Sequence, residues 1–288
     1  MINSFLMVGQ SNMAGRGFLK DVPLICNERI KVMRNGIWQI MTEPINYDRP
    51  YSGIGPAASF AAAWCRKNKD EEIGLIPCAD GGTSLDDWSV DGPLFKHAIL
   101  QAKLAKESSK LKGILWHQGE SDSLSGLYKL YNKKFSVIVD AFRRELGEPD
   151  IPIIIGEIGD YLGSGFLGTY FPEYPKVNKE LLEFAKGHKN CYFVTASGLA
   201  ANPDGIHINA ASQRIFGLRY FEAYDKLKHI LTPLEGEEDA INIDSERVLT
   251  KTEKMTILEN KFAGGHISLE DYQVQMSNIN NDKKVFLS

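Results

Sequence analysis

Four short polar segments carry the residue types that acyl-transfer chemistry needs. The first is Gly9-Gln10-Ser11-Asn12, directly after the apolar run Phe5-Leu6-Met7-Val8. A serine placed there leaves a buried strand with its hydroxyl exposed and its N–H able to face a bound oxygen, and Gly9 permits the tight turn. The pattern is not the GxSxG elbow of α/β-hydrolases, and Ser11 can equally cap the helix that follows. The second segment is Asn202-Pro203-Asp204-Gly205-Ile206-His207. An Asp three residues before a His can fix the imidazole tautomer and steady the imidazolium, which is the base that a serine nucleophile requires. Asp and Gly are also ordinary residues of a turn into a helix. The third is Trp116-His117-Gln118-Gly119-Glu120-Ser121-Asp122. Polar groups in a row after an apolar run cost free energy unless they line a site, and Gln118 offers amide donors for a developing oxyanion. The fourth, Ala79-Asp80-Gly81-Gly82-Thr83-Ser84, has glycines that can bring a backbone N–H close to substrate, although paired glycines also occur in plain loops.

Each segment needs an element to deliver it. Short apolar runs predict strands at 3–9, 73–79, 113–117, 151–155 and 191–195. Helices are expected at 56–68, 94–109 and 176–187. Further apolar stripes at three- and four-residue steps run from Leu127 to Leu146 and from Ala211 to Tyr224. This alternation predicts an α/β fold, a three-layer α/β/α sandwich around a mostly parallel five-stranded sheet. Arg29–Met33 and Ile37–Met41 flank Asn35-Gly36, a hairpin signal. In such sheets ligands bind beyond the carboxyl ends of the strands, and all four polar segments fall there.

The 288 residues suit one large domain, set here at 1–230, followed by a linker and a small helical hairpin at 231–288. The tail holds an acidic cluster (Glu235, Glu237, Glu238, Asp239) and helical candidates at 252–262 and 268–276. Its apolar stripe (Met255, Leu258, Phe262, Leu269, Tyr272, Met276) is too thin for a core of its own. It must pack on the main domain, on a second copy in a homo-oligomer, or on a partner. The formal charge of −4 and the lack of a dense basic patch exclude a nucleic-acid binder. No run approaches a membrane span. The N-terminus has no basic region or cleavage site of a signal peptide, so a cytoplasmic location is expected. Cys26, Cys65, Cys78 and Cys191 read as free buried thiols. No His, Asp, Glu or Cys spacing suggests a metal cage, so neither metal nor cofactor is expected. His97, His188 and His229 read as surface residues. His117 is open between a substrate contact and a supporting role, and Trp88 between stacking on a sugar and packing.

Taken together, GQSNMAG (9–15), GGTSLDDW (81–88), WHQGESD (116–122) and DGIH (204–207) resemble the SGNH/GDSL hydrolase superfamily. More closely they resemble its carbohydrate esterase branch, which includes acetylxylan esterases and sialate O-acetylesterases. The resemblance spans about residues 3–225 and implies the flavodoxin-like SGNH fold. It implies Ser11 as nucleophile, His207 as general base and Asp204 as its orienting partner. It also implies an oxyanion site built from the Ser11 N–H, a glycine N–H of Gly81 or Gly82, and Gln118, with Gln10 and Glu120 in the same binding set. Where the wider superfamily has Gly-x-Asn-Asp, this chain has His117-Gln118-Gly119-Glu120, which leaves the donor set open. The implied activity is removal of O-acetyl groups from a carbohydrate such as sialic acid or xylan through an acyl-serine, without a cofactor. The alternatives are a lipase or thioesterase of the same superfamily, a non-catalytic carbohydrate-binding protein, and a scaffold acting through the tail. No apolar lid-like segment favours long acyl chains. A binding module has no need of Ser11, Asp204 and His207 together. Loops 42–55, 83–93 and 160–175 are expected to set specificity.

Overall fold

The computed structural model describes residues 1–239 and 247–281. Residues 240–246 of the expected linker and 282–288 of the tail lie outside the described residues. The central strand is β1 (Ile2–Gly9), flanked by β4 (Ile73–Pro77) and β5 (Ser109–His117), both parallel to it. Beyond β5 lie β6 (Ile153–Gly156) and β7 (Cys191–Val194), also parallel. These are the five expected strands. The hairpin adds two more to the same sheet: β2 (Ile30–Arg34) pairs parallel with β4, and β3 (Ile37–Ile40) closes the edge antiparallel to β2. The order among the described residues is β3-β2-β4-β1-β5-β6-β7. Asn35 and Gly36 both take positive φ at the turn, as a two-residue hairpin loop demands.

β1 shows why the strands read as unbroken apolar runs. Leu6 and Val8 pack on one face with α3 (Pro93–Lys106), α4 (Tyr131–Leu146) and α5 (Tyr174–Gly187). Phe5 and Met7 pack on the other with α2 (Ala57–Lys67) and α6 (Ala210–Lys226). Successive side chains point to opposite faces and both faces are covered, so the run Phe5–Val8 is apolar throughout, and the buried Ser4 hydroxyl is paired with Ser109. The helix expected to reach 109 stops at Lys106, and β5 begins at Ser109 rather than 113. Ser109-Lys110-Leu111-Lys112 alternates buried and more exposed positions, which is the period of a strand. The stripe from Leu127 is split: Leu127–Leu130 forms a 3₁₀ turn before α4 starts at Tyr131.

The tail meets the main body through specific polar contacts. Glu237 of the acidic cluster takes a two-pronged ion pair from buried Arg219 on α6. Helix α7 (Lys251–Ala263) opens on a reciprocal capping box between Thr250 and Glu253. The buried Glu253 carboxylate also accepts from the Glu28 backbone N–H (2.9 Å) and pairs with Arg247 (2.8 Å). Leu258 is buried, and α8 (Leu269–Asn281) buries none of its residues. Phe262 stacks on Tyr272 to join the two helices.

Burial alone would raise the Glu253 carboxyl, but Arg247 and the N–H groups of Thr250 and Glu28 outweigh it and hold the pKa below the ordinary value. Its stabilising contribution is therefore complete above the unfolded pKa of about 4.3 and is lost as pH falls through the lower folded value. Glu253→Ala leaves buried donors without an acceptor and should cost about 1–3 kcal/mol of docking. Amide exchange across α7 should then accelerate at neutral pH while the sheet keeps its protection. The gap between variant and wild type should close in acid. Unchanged exchange in α7 would count against this anchor.

Candidate active site

The sheet's carboxyl edge gathers the four polar segments where the strand order reverses around β1. This is the crevice in which open parallel sheets bind ligands. β1 ends at Gly9, whose φ is +126°, and a Cβ there would lie 2.0 Å from the His117 carbonyl oxygen. The chain crosses the end of β5 on the hydrogen bond from Gln10 N–H to that same carbonyl (2.8 Å). Ser11 then opens the four-residue helix α1 (Ser11–Ala14), with Gln10 at the cap position. Ser11 is thus the first helical residue and not its cap. It lines a pocket of about 220 Å³ together with Gln10, Gly81, Gly82, Glu120 and His207.

His207 reaches this pocket from a loop before α6. Its Nδ1 lies 2.8 Å from Asp204 Oδ2, while Asp204 Oδ1 accepts the N–H groups of Ile206 (2.9 Å) and His207 (3.0 Å). Burial pushes the Asp204 carboxyl up, but these backbone and ring hydrogen bonds prevail and hold it below the usual carboxylate value. Asp204 therefore stays ionised beside the ring, and its bond to Nδ1 leaves Nε2 as the nitrogen available to chemistry.

Asn12, fully buried, joins the serine turn to the histidine loop. Its Nδ2 donates to Glu120 Oε1 (2.5 Å) and to the Ile206 carbonyl (3.1 Å), and its Oδ1 accepts from Ile208 N–H (2.9 Å). Gln213 on α6 donates to the Asn12 carbonyl (3.0 Å), and Asn202 donates to the Arg16 carbonyl (2.8 Å).

The expected role of Gln118 does not match its position. Its side chain is fully buried beneath the pocket, and its Nε2 already serves Gln10 Oε1 (3.2 Å), the Thr83 carbonyl (3.0 Å) and Asp122 Oδ2 (2.6 Å). Its Oε1 accepts from Tyr131 (2.9 Å). No donor is left for an oxyanion. Gln10 is the amide that faces the pocket. Its Oε1 takes the N–H groups of Gln118, Gly119 (3.3 Å) and Ser121 (3.4 Å), which fixes the amide's orientation and turns Nε2 to the other side. Of the paired glycines, Gly81 has its N–H committed to Asp48 Oδ2 (2.9 Å). The N–H groups of Ser11 and Gly82 have no acceptor among the described hydrogen bonds.

Two arginines that the sequence did not single out also line the pocket, and each is closed on a carboxylate. Arg16 forms a buried fork with Asp48 (2.5 and 3.2 Å), and Arg49 pairs with Asp80 (2.9 Å). Burial would raise Asp48, but Arg16, the Gly81 N–H and Ser52 hold it below its ordinary value. Neither Arg gave a signal in the sequence, because their partners lie 32 and 31 residues away. Of the expected specificity loops, 42–55 supplies Arg49 and Tyr51 and 160–175 supplies Phe171, whereas 83–93 supplies no pocket wall. Trp88 is a packing residue, buried against Trp116 with its Nε1 on Thr83. His117 is buried behind the site, with Nε2 3.1 Å from the Glu157 carbonyl, and touches no substrate space. His97 is exposed as expected, but His188 stacks on Phe184 and His229 Nδ1 accepts from Phe193 N–H, so both are half-buried. Among the described residues no three His, Cys, Asp or Glu side chains cluster as a metal site requires.

A family model described as carbohydrate esterase, sialic acid-specific acetylesterase, matches residues 1–226. The chain is 28% identical over 242 residues to an Arabidopsis thaliana protein named a "probable carbohydrate esterase". That match covers 76% of this chain and 89% of the relative. The crystal structure of the Arabidopsis protein superposes with a TM-score of 0.71, covering 78% of this chain and 98% of that one. An Escherichia coli protein named a "probable 9-O-acetyl-N-acetylneuraminic acid deacetylase" is 25% identical over 167 residues, 48% of this chain and 51% of its own length. The crystal structure of NanS shares the fold, with a TM-score of 0.65 at 19% identity over 78% of this chain and 97% of that one.

Asn12→Ala removes the acceptor of a buried N–H and the donor to a buried carboxylate. It should lower stability by about 1–3 kcal/mol, read from urea unfolding. Asn12→Asp should cost more, because it sets a second carboxylate against Glu120 in a buried site. Equal midpoints for the two variants would remove Asn12 from this role.

Proposed function

We propose, starting from the fact that this chain belongs to the sialic acid-specific acetylesterase family of carbohydrate esterases, that it releases acetate from an O-acetylated sugar through an acyl-Ser11 intermediate. The observation that carries the reading is the Asp204–His207 pair at 2.8 Å, opening onto the same pocket as Ser11. His207 Nε2 takes the Ser11 proton as Oγ attacks the ester carbonyl. Asp204, held ionised, steadies the imidazolium. The alcohol departs with the proton returned by His207, and water then cleaves the acyl-enzyme by the same route.

The tetrahedral oxyanion is assigned to the N–H groups of Ser11 and Gly82 and to Gln10 Nε2, donors already oriented before substrate arrives. Gln118 acts through Gln10, as one member of the Asp122–Gln118–Tyr131 network beneath it. Glu120 holds Asn12 and contributes to the wall of the pocket. A pocket of about 220 Å³ bounded by Phe171 and Ile206 suits a short acyl group, which favours acetyl over the long chains of a lipase or thioesterase. The names of the matched relatives point to a sialic acid ester among the sugars to test.

Acetate release should be measured over a panel of acetylated sugars. Ser11→Ala should lose about four orders of magnitude in kcat or more, and a serine-directed phosphonate should label Ser11. His207→Ala should lose nearly as much, and adding Asp204→Asn to it should cost little further, because the two act as one proton-transfer unit. Wild-type rates in Ser11→Ala would sink the mechanism.

The donor assignment has its own test. Gln10→Ala should lower kcat by about 10²–10³ with KM little changed. Gln118→Ala should also slow the enzyme but add little on top of Gln10→Ala. Losses that multiply would mean that Gln118 reaches the oxyanion itself.

A further inference from the structure

A second cavity, of about 500 Å³, abuts the first and shares Arg16, Tyr51 and His207 with it. Its outer wall is apolar and open. Phe18 is 45% exposed, Leu19 38% and Tyr51 68%. Large side chains exposed together beside a polar site mark a ligand groove more often than scattered surface residues do. The wall is also rigid. Gly17 exchanges backbone hydrogen bonds with Ile54 (3.0 and 2.7 Å), and Gly53 N–H donates to the Gly15 carbonyl (3.0 Å). A Cβ on Gly53 would lie 2.1 Å from the Gly17 carbonyl oxygen, so the two segments approach as closely as backbone allows. The Arg16 guanidinium lies over the Tyr51 ring at 5.3 Å, a cation–π contact. Phe18 and Tyr51 thus stand on one clamped unit beside His207.

We propose that this groove is the leaving-group subsite and receives the pyranose ring of the acetylated sugar. The inference rests on the esterase reading above and adds the direction in which substrate lies. In the acylation step the Ser11 Oγ–carbon bond forms, the carbon–oxygen bond to the sugar breaks, and the proton taken by His207 passes to that departing oxygen. The departing oxygen must therefore lie within hydrogen-bond reach of His207 Nε2. The small pocket around Gln10, Gly82 and Phe171 holds the acetyl side. The second cavity borders His207 and Asp204 next to that pocket, and its volume of about 500 Å³ is ample for a pyranose ring. The C–H face of a pyranose is the apolar surface that an exposed aromatic ring can cover, and its hydroxyls stay in water.

The full-length chain tests this with two esters of the same acyl group: an O-acetylated pyranoside, and ethyl acetate, which has no ring to stack. Phe18→Ala should raise KM for the pyranoside at least fivefold with kcat within twofold, and leave kcat/KM for ethyl acetate within twofold. Phe18→Tyr, which keeps the ring, should restore the pyranoside KM. Equal effects of Phe18→Ala on both esters, or none on either, would overturn the subsite while leaving the esterase reading intact. So would a loss that grows with acyl length along a series of ethyl esters, since that would seat the acyl group in the groove. A wild type that cleaves neither ester would overturn both readings.

Discussion

Asn12 is fixed from all sides by buried partners, and the site exists because of it. The nucleophile candidate and its base are 196 residues apart in the chain, on a turn after the first strand and a loop before the last main-body helix. Neither segment is long enough to hold itself. The Asn12 side chain bonds the Ile206 carbonyl, the Ile208 N–H and Glu120, and its carbonyl accepts from Gln213, so three separate strand ends share one residue. In a buried setting each unsatisfied group costs the full desolvation of that group. The His207 loop is consequently pinned in the one arrangement that satisfies them all.

The same principle explains why the pocket is rich in charge but has little free charge. Arg16 and Arg49 would each be costly in a half-buried cavity, and each is closed on a carboxylate from a neighbouring loop. Their value is positional. Asp48 holds the Gly81 N–H as well as Arg16, so the loop that presents Gly82 to the pocket is fixed by a charge-assisted bond. Arg16 in turn carries Tyr51 on its guanidinium face. One ion pair thereby shapes both the pocket at Ser11 and the groove next to it.

Outside the family match, residues 231–239 and α7 are also tied down by carboxylates, half-buried Glu237 on Arg219 and buried Glu253 on Arg247 and Glu28 N–H. A thin apolar stripe could not do this alone, and of its members only Leu258 is buried. The outer helix α8 packs on α7 through Phe262 and Tyr272 and otherwise faces solvent.

The parallel strands were legible in the sequence because a strand covered on both faces reads as a short, nearly continuous apolar run, as at Phe5–Val8 and Ile153–Ile155. The contact between Asp204 and His207 was legible because three residues of separation suffice to bring a carboxylate onto an imidazole, whereas grouping Ser11 with them rested on the resemblance carried by all four segments. Asn35-Gly36 likewise announced its hairpin, since Asn and Gly take the two successive positive φ values of such a turn most readily. What the tertiary structure alone decided is which amide faces the pocket. Gln10 and Gln118 are the same side chain, each at the end of a buried strand, and nothing local separates them. Asp122, Tyr131 and the Thr83 carbonyl absorb Gln118 completely, and the N–H groups arriving from β5's end turn Gln10 outward. A side chain's free donors are what remain after its neighbours are served, and packing brings those neighbours from as near as Asp122, four residues from Gln118, and as far as Gly119, 109 residues from Gln10.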